Sequence, residues 1–171
     1  MRNEKGRSLV ELLAVLAISP IIIIIAFSIL TSMLKVQDET TVETYLRNEA
    51  VLVNRQFDDL MANIDMIQIH PDADVDEDGN FQHFIAVDKQ TKIVKDAKGE
   101  DIFQEIEVET PVKIDGDSLY INGMKVYEGP YSLASTKFRN EHGNLFIHLV
   151  ITDVDSGVKF EMEKIYHLQS G

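Results

Sequence analysis

The stretch Lys5-Gly6-Arg7-Ser8-Leu9-Val10-Glu11-Leu12-Leu13-Ala14-Val15-Leu16-Ala17-Ile18 decides the fold. It joins a short basic head, which ends in glycine, to an apolar segment that continues to Leu34 with one charged residue, Glu11. A carboxylate in the membrane costs about 2.5–3.5 kcal/mol on insertion scales. Glu11 is therefore a candidate functional residue, and its charge needs a partner.

Residues 9–34 are long and apolar enough to cross a membrane as a helix, for which about 20 residues suffice. Basic residues precede this segment and an acidic region follows it. The positive-inside rule therefore predicts a single-pass cytoplasmic-membrane protein with its N-terminus inside and its C-terminal domain extracytoplasmic. A cleaved secretory signal fits poorly, because the apolar run is long, contains Glu11 and precedes no small-residue cleavage site. An ordinary signal anchor remains the alternative. Pro20 removes one backbone donor and predicts a kink.

The rest of the chain is acidic and large enough for one modest domain. The 171 residues carry a formal charge of −13, and the part after Leu34 holds 13 Lys+Arg against 27 Asp+Glu. This balance argues against direct nucleic-acid binding by the domain as a whole. There is no cysteine, which excludes disulfides, thiolate nucleophiles and cysteine-containing metal sites.

The head, with Lys5-Gly6 and with Glu11 at the fifth position after the glycine, resembles the cleavage signal of type IV pilins and type II secretion pseudopilins. The resemblance implies cleavage by a prepilin peptidase between Gly6 and Arg7 and N-methylation of Arg7. It also implies that Glu11 acts in filament assembly, where it neutralises the terminal amine of a neighbouring subunit. The implied partners are the peptidase, other pilin or pseudopilin subunits, an assembly platform protein and the membrane. Arg7 replaces the usual phenylalanine or methionine, and Pro20 falls early, which favours a minor subunit.

Helical periodicity continues beyond the membrane segment. Apolar residues recur at spacings of three, four and seven between Val42 and Ile67, and no glycine or proline interrupts residues 35–69. We therefore predict one long helix that ends near His70-Pro71. The predicted division is a leader at residues 1–6, a transmembrane and assembly half of the helix at 7–34, an amphipathic half at 35–70, and an extracytoplasmic β-rich domain at 71–171.

Short strands separated by turn signals fill the C-terminal part. Leu119 to Val126 predicts a hairpin with an Asn122-Gly123 turn, and Leu145 to Thr152 predicts a buried strand. The predicted fold class is α+β, with the long helix packed against a mainly antiparallel sheet. The pilin resemblance implies the same arrangement.

The acidic connection after the helix predicts one of two things. Asp74, Asp76, Asp78 and Asn80, with Gly79 between the last two, follow the first half of an EF-hand loop and would bind calcium. The twelfth position of that loop is Ile85, so the bidentate glutamate is missing. We therefore favour the second interpretation, which is a solvated acidic turn without a cofactor.

No sequence motif for catalysis is present, so we expect a non-enzymatic protein. The leading expectation is a minor pilin-like subunit of a pilus or pseudopilus that serves DNA uptake (competence) or protein secretion, exposed at the cell surface after assembly. The alternative is a signal-anchored membrane protein whose extracytoplasmic domain binds a ligand or calcium and does not polymerise.

Overall fold

The computed structural model describes the backbone of residues 4–168 and the side chains of residues 9–168. The described part contains one helix, α1, at Glu4–Met61. Eight strands follow. They are β1 Met66–Ile69, β2 His83–Lys95, β3 Asp101–Asp115, β4 Ser118–Ile121, β5 Met124–Glu128, β6 Lys137–Glu141, β7 Asn144–Thr152 and β8 Lys159–His167. The chain divides into two units, residues up to Thr41 and residues from Val42 onward.

The strands form two antiparallel sheets. The first has the order β1-β2-β3-β4-β5 and the second the order β6-β7-β8, with each strand beside its sequence neighbour. A short antiparallel bridge between Phe81 and Phe138 connects the two, with N···O distances of 2.9 and 2.8 Å. Together with α1 these sheets confirm the predicted α+β class, although the single predicted sheet is in fact two.

The core of the second unit is built on one face of α1. Five helix side chains spaced by three or four residues are buried, which places them on one stripe of an α-helix. They are Leu46, Ala50, Val53, Phe57 and Met61. Tyr45, which lies within the periodic run between Val42 and Ile67, is 57% exposed. The stripe is therefore narrower than the sequence predicts.

Four phenylalanines join the helix to both sheets. The ring of Phe138 in β6 lies 5.0 Å from that of Phe84 in β2 and 5.6 Å from that of Phe57 in α1, both edge to face. Phe81 completes the cluster, with its ring 6.3 Å from that of Phe138. These separations suit the favourable edge-to-face geometry of aromatic rings. Phe138 therefore forms the centre of the core.

Two carboxylates of α1 bind side chains of the sheets at the edge of the core. The hydroxyl of Tyr127 in β5 donates to the Glu49 carboxylate at 2.7 Å. In β8, the Lys164 ammonium and the Tyr166 hydroxyl both donate to Asp58. The Lys164 contact holds the pKa of Asp58 below its usual range. Glu49 thus connects the helix to the first sheet, and Asp58 connects it to the second.

The predicted extent of the helix is wrong at its C-terminal end. The helix stops at Met61, although residues 35–70 were assigned to it, and Met66–Ile69 forms β1 instead. Ile67 pairs with Ala86 of β2, and the Asp65 N–H donates to the Val87 carbonyl at 3.0 Å. The backbone of this segment finds its partners in β2, which offsets the helical hydrogen bonds that it gives up.

Candidate functional site: the N-terminal helix and the acidic loop

The apolar segment of α1 is exposed along its length. Its aliphatic and aromatic side chains from Leu9 to Val36 are 52–67% accessible. An 18-residue window of this helix has a mean hydropathy of 2.9 and none of it is buried. The helix is therefore long and apolar enough to cross a membrane, and an exposed apolar surface of this size requires an apolar environment or a partner.

Three hydroxyl groups within the segment donate to carbonyl groups of the helix itself. Ser19 donates to the Val15 carbonyl at 2.7 Å, and Thr31 donates to the Phe27 carbonyl at 2.8 Å. Ser32 makes the same contact one turn back. This back-bonding lowers the cost of placing a hydroxyl in an apolar environment. The helix also continues unbroken through Pro20.

Glu11 differs from these hydroxyl residues. Its side chain is exposed on α1, and within the described residues it makes no hydrogen bond or ion pair. The backbone of Gly6 and Arg7 belongs to the first turns of α1, while the Arg7 side chain lies outside the described part of the chain. Glu11 is thus a carboxylate without a described partner, on a helix that is otherwise apolar around it.

The acidic loop between β1 and β2 is a tight turn organised by Asp76. Asp76 Oδ1 accepts the backbone N–H groups of Asp78 at 3.1 Å and Asn80 at 2.8 Å. Its Oδ2 accepts the Lys137 ammonium at 2.7 Å. The Lys137 contact, aided by Asn80, holds the pKa of Asp76 well below its usual range. Asp76 is therefore already bound by donors from its own turn and from β6.

The same turn occurs again between β2 and β3. Asp96 Oδ1 accepts the backbone N–H groups of Lys98 at 2.8 Å and Glu100 at 2.9 Å, and the Gly99 N–H donates to the Asp96 carbonyl. The two loops share the pattern Asp-x-x-Gly-x, at residues 76–80 and 96–100. In both loops the aspartate of this pattern therefore forms a turn through hydrogen bonds from the backbone that follows it.

The remaining predicted ligands do not gather around Asp76. Asp74 and Asp78 are exposed, and Asn80 donates its side-chain amide to Asp76 instead of offering an oxygen. Among residues 9–168, no group of three or more His, Asp or Glu side chains is arranged to hold a metal ion. Calcium binding by Asp74, Asp76, Asp78 and Asn80 stays a prediction.

A stacked histidine pair lies close to this loop and was not predicted. The rings of His70 and His83 are 3.6 Å apart and tilted by 11°. The Asp72 N–H donates to His70 Nδ1 at 3.1 Å. Partial burial, with His70 and the Lys113 ammonium nearby, lowers the pKa of His83. The two histidines are far apart in sequence and come together through the β1–β2 pairing.

A concavity of about 860 Å³ covers the face of the β6-β7-β8 sheet that points away from the core. Basic side chains line it, but three of them already form ion pairs with carboxylates. These three are Lys137, Arg139 and Lys164. His148 lies 3.5 Å from Glu161 on the same face. The charges of this surface are largely balanced within the protein.

Comparison of the chain with models of protein families, with curated proteins and with solved structures finds no match. The resemblance of the head to the pilin signal therefore rests on residues 5–18 themselves.

Proposed function

We propose that this protein is a pilin-like structural subunit that enters a pilus or pseudopilus through α1. It is held in the cytoplasmic membrane with its N-terminus inside, is cut after Gly6, and is methylated at Arg7. Its partners are a prepilin peptidase, other pilin or pseudopilin subunits and an assembly platform protein. The role is that of a minor subunit in either DNA uptake (competence) or protein secretion.

The observation that carries the proposal is the position of Glu11. It lies five residues after a glycine that ends a basic head, within a segment, residues 8–34, that has no other charge. A terminal amine released at Arg7 is the complementary charge that such a carboxylate needs in an apolar packing of helices. Subunits that stagger along their helices can supply this amine to one another.

The architecture supports the proposal in a second way. The helix that carries the apolar segment also supplies the buried stripe of the β-rich domain. Such a helix links the domain to whatever surrounds the apolar segment. One part of the helix is apolar and exposed, and the other part is packed in the domain. This arrangement suits a subunit whose helix lies inside a filament and whose domain lies on the filament surface.

Processing is tested by co-expressing the full chain with a prepilin peptidase and measuring its intact mass. We expect loss of residues 1–6, a new N-terminus at Arg7 and the added mass of one methyl group. Gly6→Ala should abolish the cut, while Asn3→Ala in the same leader should leave it unchanged. A full-length mass in the presence of active peptidase would instead favour the signal-anchored alternative, in which Arg7 blocks processing.

Assembly is tested separately at Glu11. Glu11→Val removes the charge, so we expect normal membrane insertion but roughly a tenfold or greater loss from sheared filament fractions, because about 2.5–3.5 kcal/mol is at stake for an unpaired carboxylate or amine. Ser19→Val is the matched control, because the Ser19 hydroxyl is already bound within the helix. Equal recovery of both variants in filaments would contradict the role of Glu11.

A further inference from the structure

The outer part of the β2–β3 hairpin projects beyond the rest of its sheet. β1 pairs with β2 only as far as Val87, and β4 pairs with β3 only from Val112. Seven residue pairs, from Lys89–Glu107 to Lys95–Asp101, lie beyond both neighbours. We call this segment, residues 89–107, the arm. At about 3.4 Å per residue it extends for roughly 24 Å.

Both edges of the arm lack a partner strand within the described residues, although the Lys89 N–H at the base of the β2 edge donates to Asp65 Oδ2 at 2.7 Å. A two-stranded ribbon is marginally stable in water by itself, and its outer N–H and C=O groups are a template for a further strand. The arm also exposes apolar side chains near its tip. Phe103 is 76% and Ile93 64% exposed on one face, and Ile102 is 46% exposed on the other. A partner that adds to an edge would cover part of this surface.

The two edges carry opposite charges. The β2 edge is basic, with Lys89, Lys92 and Lys95, while the β3 edge and its continuation are acidic. The acidic residues are Asp101, Glu105, Glu107 and Glu109. Lysines on an edge strand prevent pairing with a like edge. A basic β2 edge is therefore best matched by an acidic edge, and the β3 edge of the arm is acidic.

We propose that the arms of successive copies of this chain pair edge to edge, β2 of one copy beside β3 of the next. Because β2 and β3 run in opposite directions, copies that are shifted sideways without rotation present antiparallel edges to each other. The contact is heterologous, so it repeats from copy to copy instead of closing into a dimer. A two-fold contact between two β2 edges would bring two lysine-bearing edges together and is disfavoured by like charge.

The pairing rests on the domain alone and does not require cleavage at Gly6 or the charge of Glu11. It is therefore tested on the unprocessed full chain, reconstituted in phosphatidylcholine vesicles without a peptidase. The chain has no cysteine, so single cysteines report position directly. Lys92 and Gln104 face each other within the arm, and a sideways shift brings Lys92 of one copy beside Gln104 of the next.

The experiment mixes two differently tagged copies, Lys92→Cys and Gln104→Cys, and adds a short bis-maleimide. We expect mixed dimers to exceed either homodimer by about three- to tenfold, since each cross-strand charge pair contributes up to about 1 kcal/mol. Asp155→Cys, exposed in the turn before β8, replaces Gln104→Cys as the control and should give few mixed dimers. Excess Lys92→Cys homodimer, or no excess of mixed dimer, overturns the proposal.

Charge reversal separates pairing of edges from chance collision. The double change Lys89→Glu with Glu107→Lys keeps the opposite charges within one arm but exchanges its edges. Introduced into only the Gln104→Cys copy, it should remove most of the mixed dimer. Introduced into both copies, it should restore it. Mixed dimers that are indifferent to these changes would contradict edge pairing.

Discussion

At the residue scale, the side chain of Thr136 replaces the backbone of a neighbouring strand as the hydrogen-bond partner of one β7 residue. It is fully buried just before β6, and its hydroxyl accepts the Val150 N–H at 3.0 Å and donates to the Val150 carbonyl at 3.1 Å. The hydroxyl thus satisfies both backbone groups of one β7 residue. No sequence pattern marks this role, because threonine is common in strands for other reasons.

Replacement of Thr136 by valine should therefore be destabilising although the shape is kept. Thr136→Val leaves the buried N–H and C=O of Val150 without a partner, which should lower the free energy of unfolding by about 1–3 kcal/mol for each group lost. Thr136→Ser keeps the hydroxyl and removes one methyl group, worth about 0.8 kcal/mol. Urea unfolding of the full chain in detergent should rank wild type above serine and serine above valine. Valine at wild-type stability would refute this role.

The stacked histidines predict that the domain loses stability in mild acid. Burial near His70 and Lys113 lowers the pKa of His83 below its ordinary 6.5, so the unfolded chain binds this proton more readily than the folded one. The stabilisation is present above about pH 6.5 and is lost as the pH falls through the lowered value. Asp72 opposes the effect in part.

The measurement is the urea midpoint of the full chain at pH 7.5 and pH 5.5. His83→Gln should show a smaller decrease between the two than wild type, because glutamine does not titrate. His142→Asn is the control, since His142 is exposed in the β6–β7 turn, where its φ of 52° suits asparagine. If His83→Gln and wild type lose the same stability, His83 does not carry the pH dependence.

At the scale of single elements, α1 within the domain has a buried and an exposed side that can be compared directly. Phe57 is 1% exposed and touches the aromatic cluster, while Leu52 is 53% exposed on the same helix. Phe57→Ala should lower the free energy of unfolding by about 3–5 kcal/mol, since it leaves a cavity in the core. Leu52→Ala should change it by less than about 0.5 kcal/mol. Urea unfolding of both variants checks the difference, and a similar loss in the two would mean that the stripe is misassigned.

Elements that are determined by neighbouring residues were predicted correctly from the sequence. Asn122-Gly123 forms the predicted two-residue turn, with φ values of 52° and 72° that asparagine and glycine tolerate best. β7 spans the continuous apolar run that predicted it. Ile67 was misassigned because its spacing also fits a helix, and only pairing with the distant Ala86 distinguishes the strand.

The β2 half of the arm was not predicted. Strands are predicted from the alternation of apolar and polar residues, which reflects one buried face. Residues 89–95 of β2 are all exposed and mostly polar, so they lack this alternation. They are strand only because β3 pairs with them across the Asp96 turn. That turn repeats the Asp-x-x-Gly-x pattern of residues 76–80, so comparison of the two loops would have strengthened the interpretation of residues 76–80 as a turn.

At the scale of the whole chain, the assignment of two units follows the hydrophobicity of the sequence closely. Residues 9–34 are apolar on every side of the helix and are not buried in the domain. Between Leu46 and Met61 the apolar residues are buried on one side of the helix only. The candidate site divides in the same way. Glu11 is evident from the sequence because it is a charged residue among apolar ones. The contact between Asp76 and Lys137 is not evident, because the two residues are 61 positions apart.

The contacts of α1 with the two sheets also determine how the domain responds to a pulling force. Its buried stripe and its contacts through Glu49 and Asp58 are spread over about 22 Å of helix, from Leu46 to Met61. A pull along the helix axis loads all of these contacts at once, in shear. A pull on the end of β8 would instead peel it from β7 one residue pair at a time. We therefore expect the domain to resist tension along its helix better than tension on the end of β8.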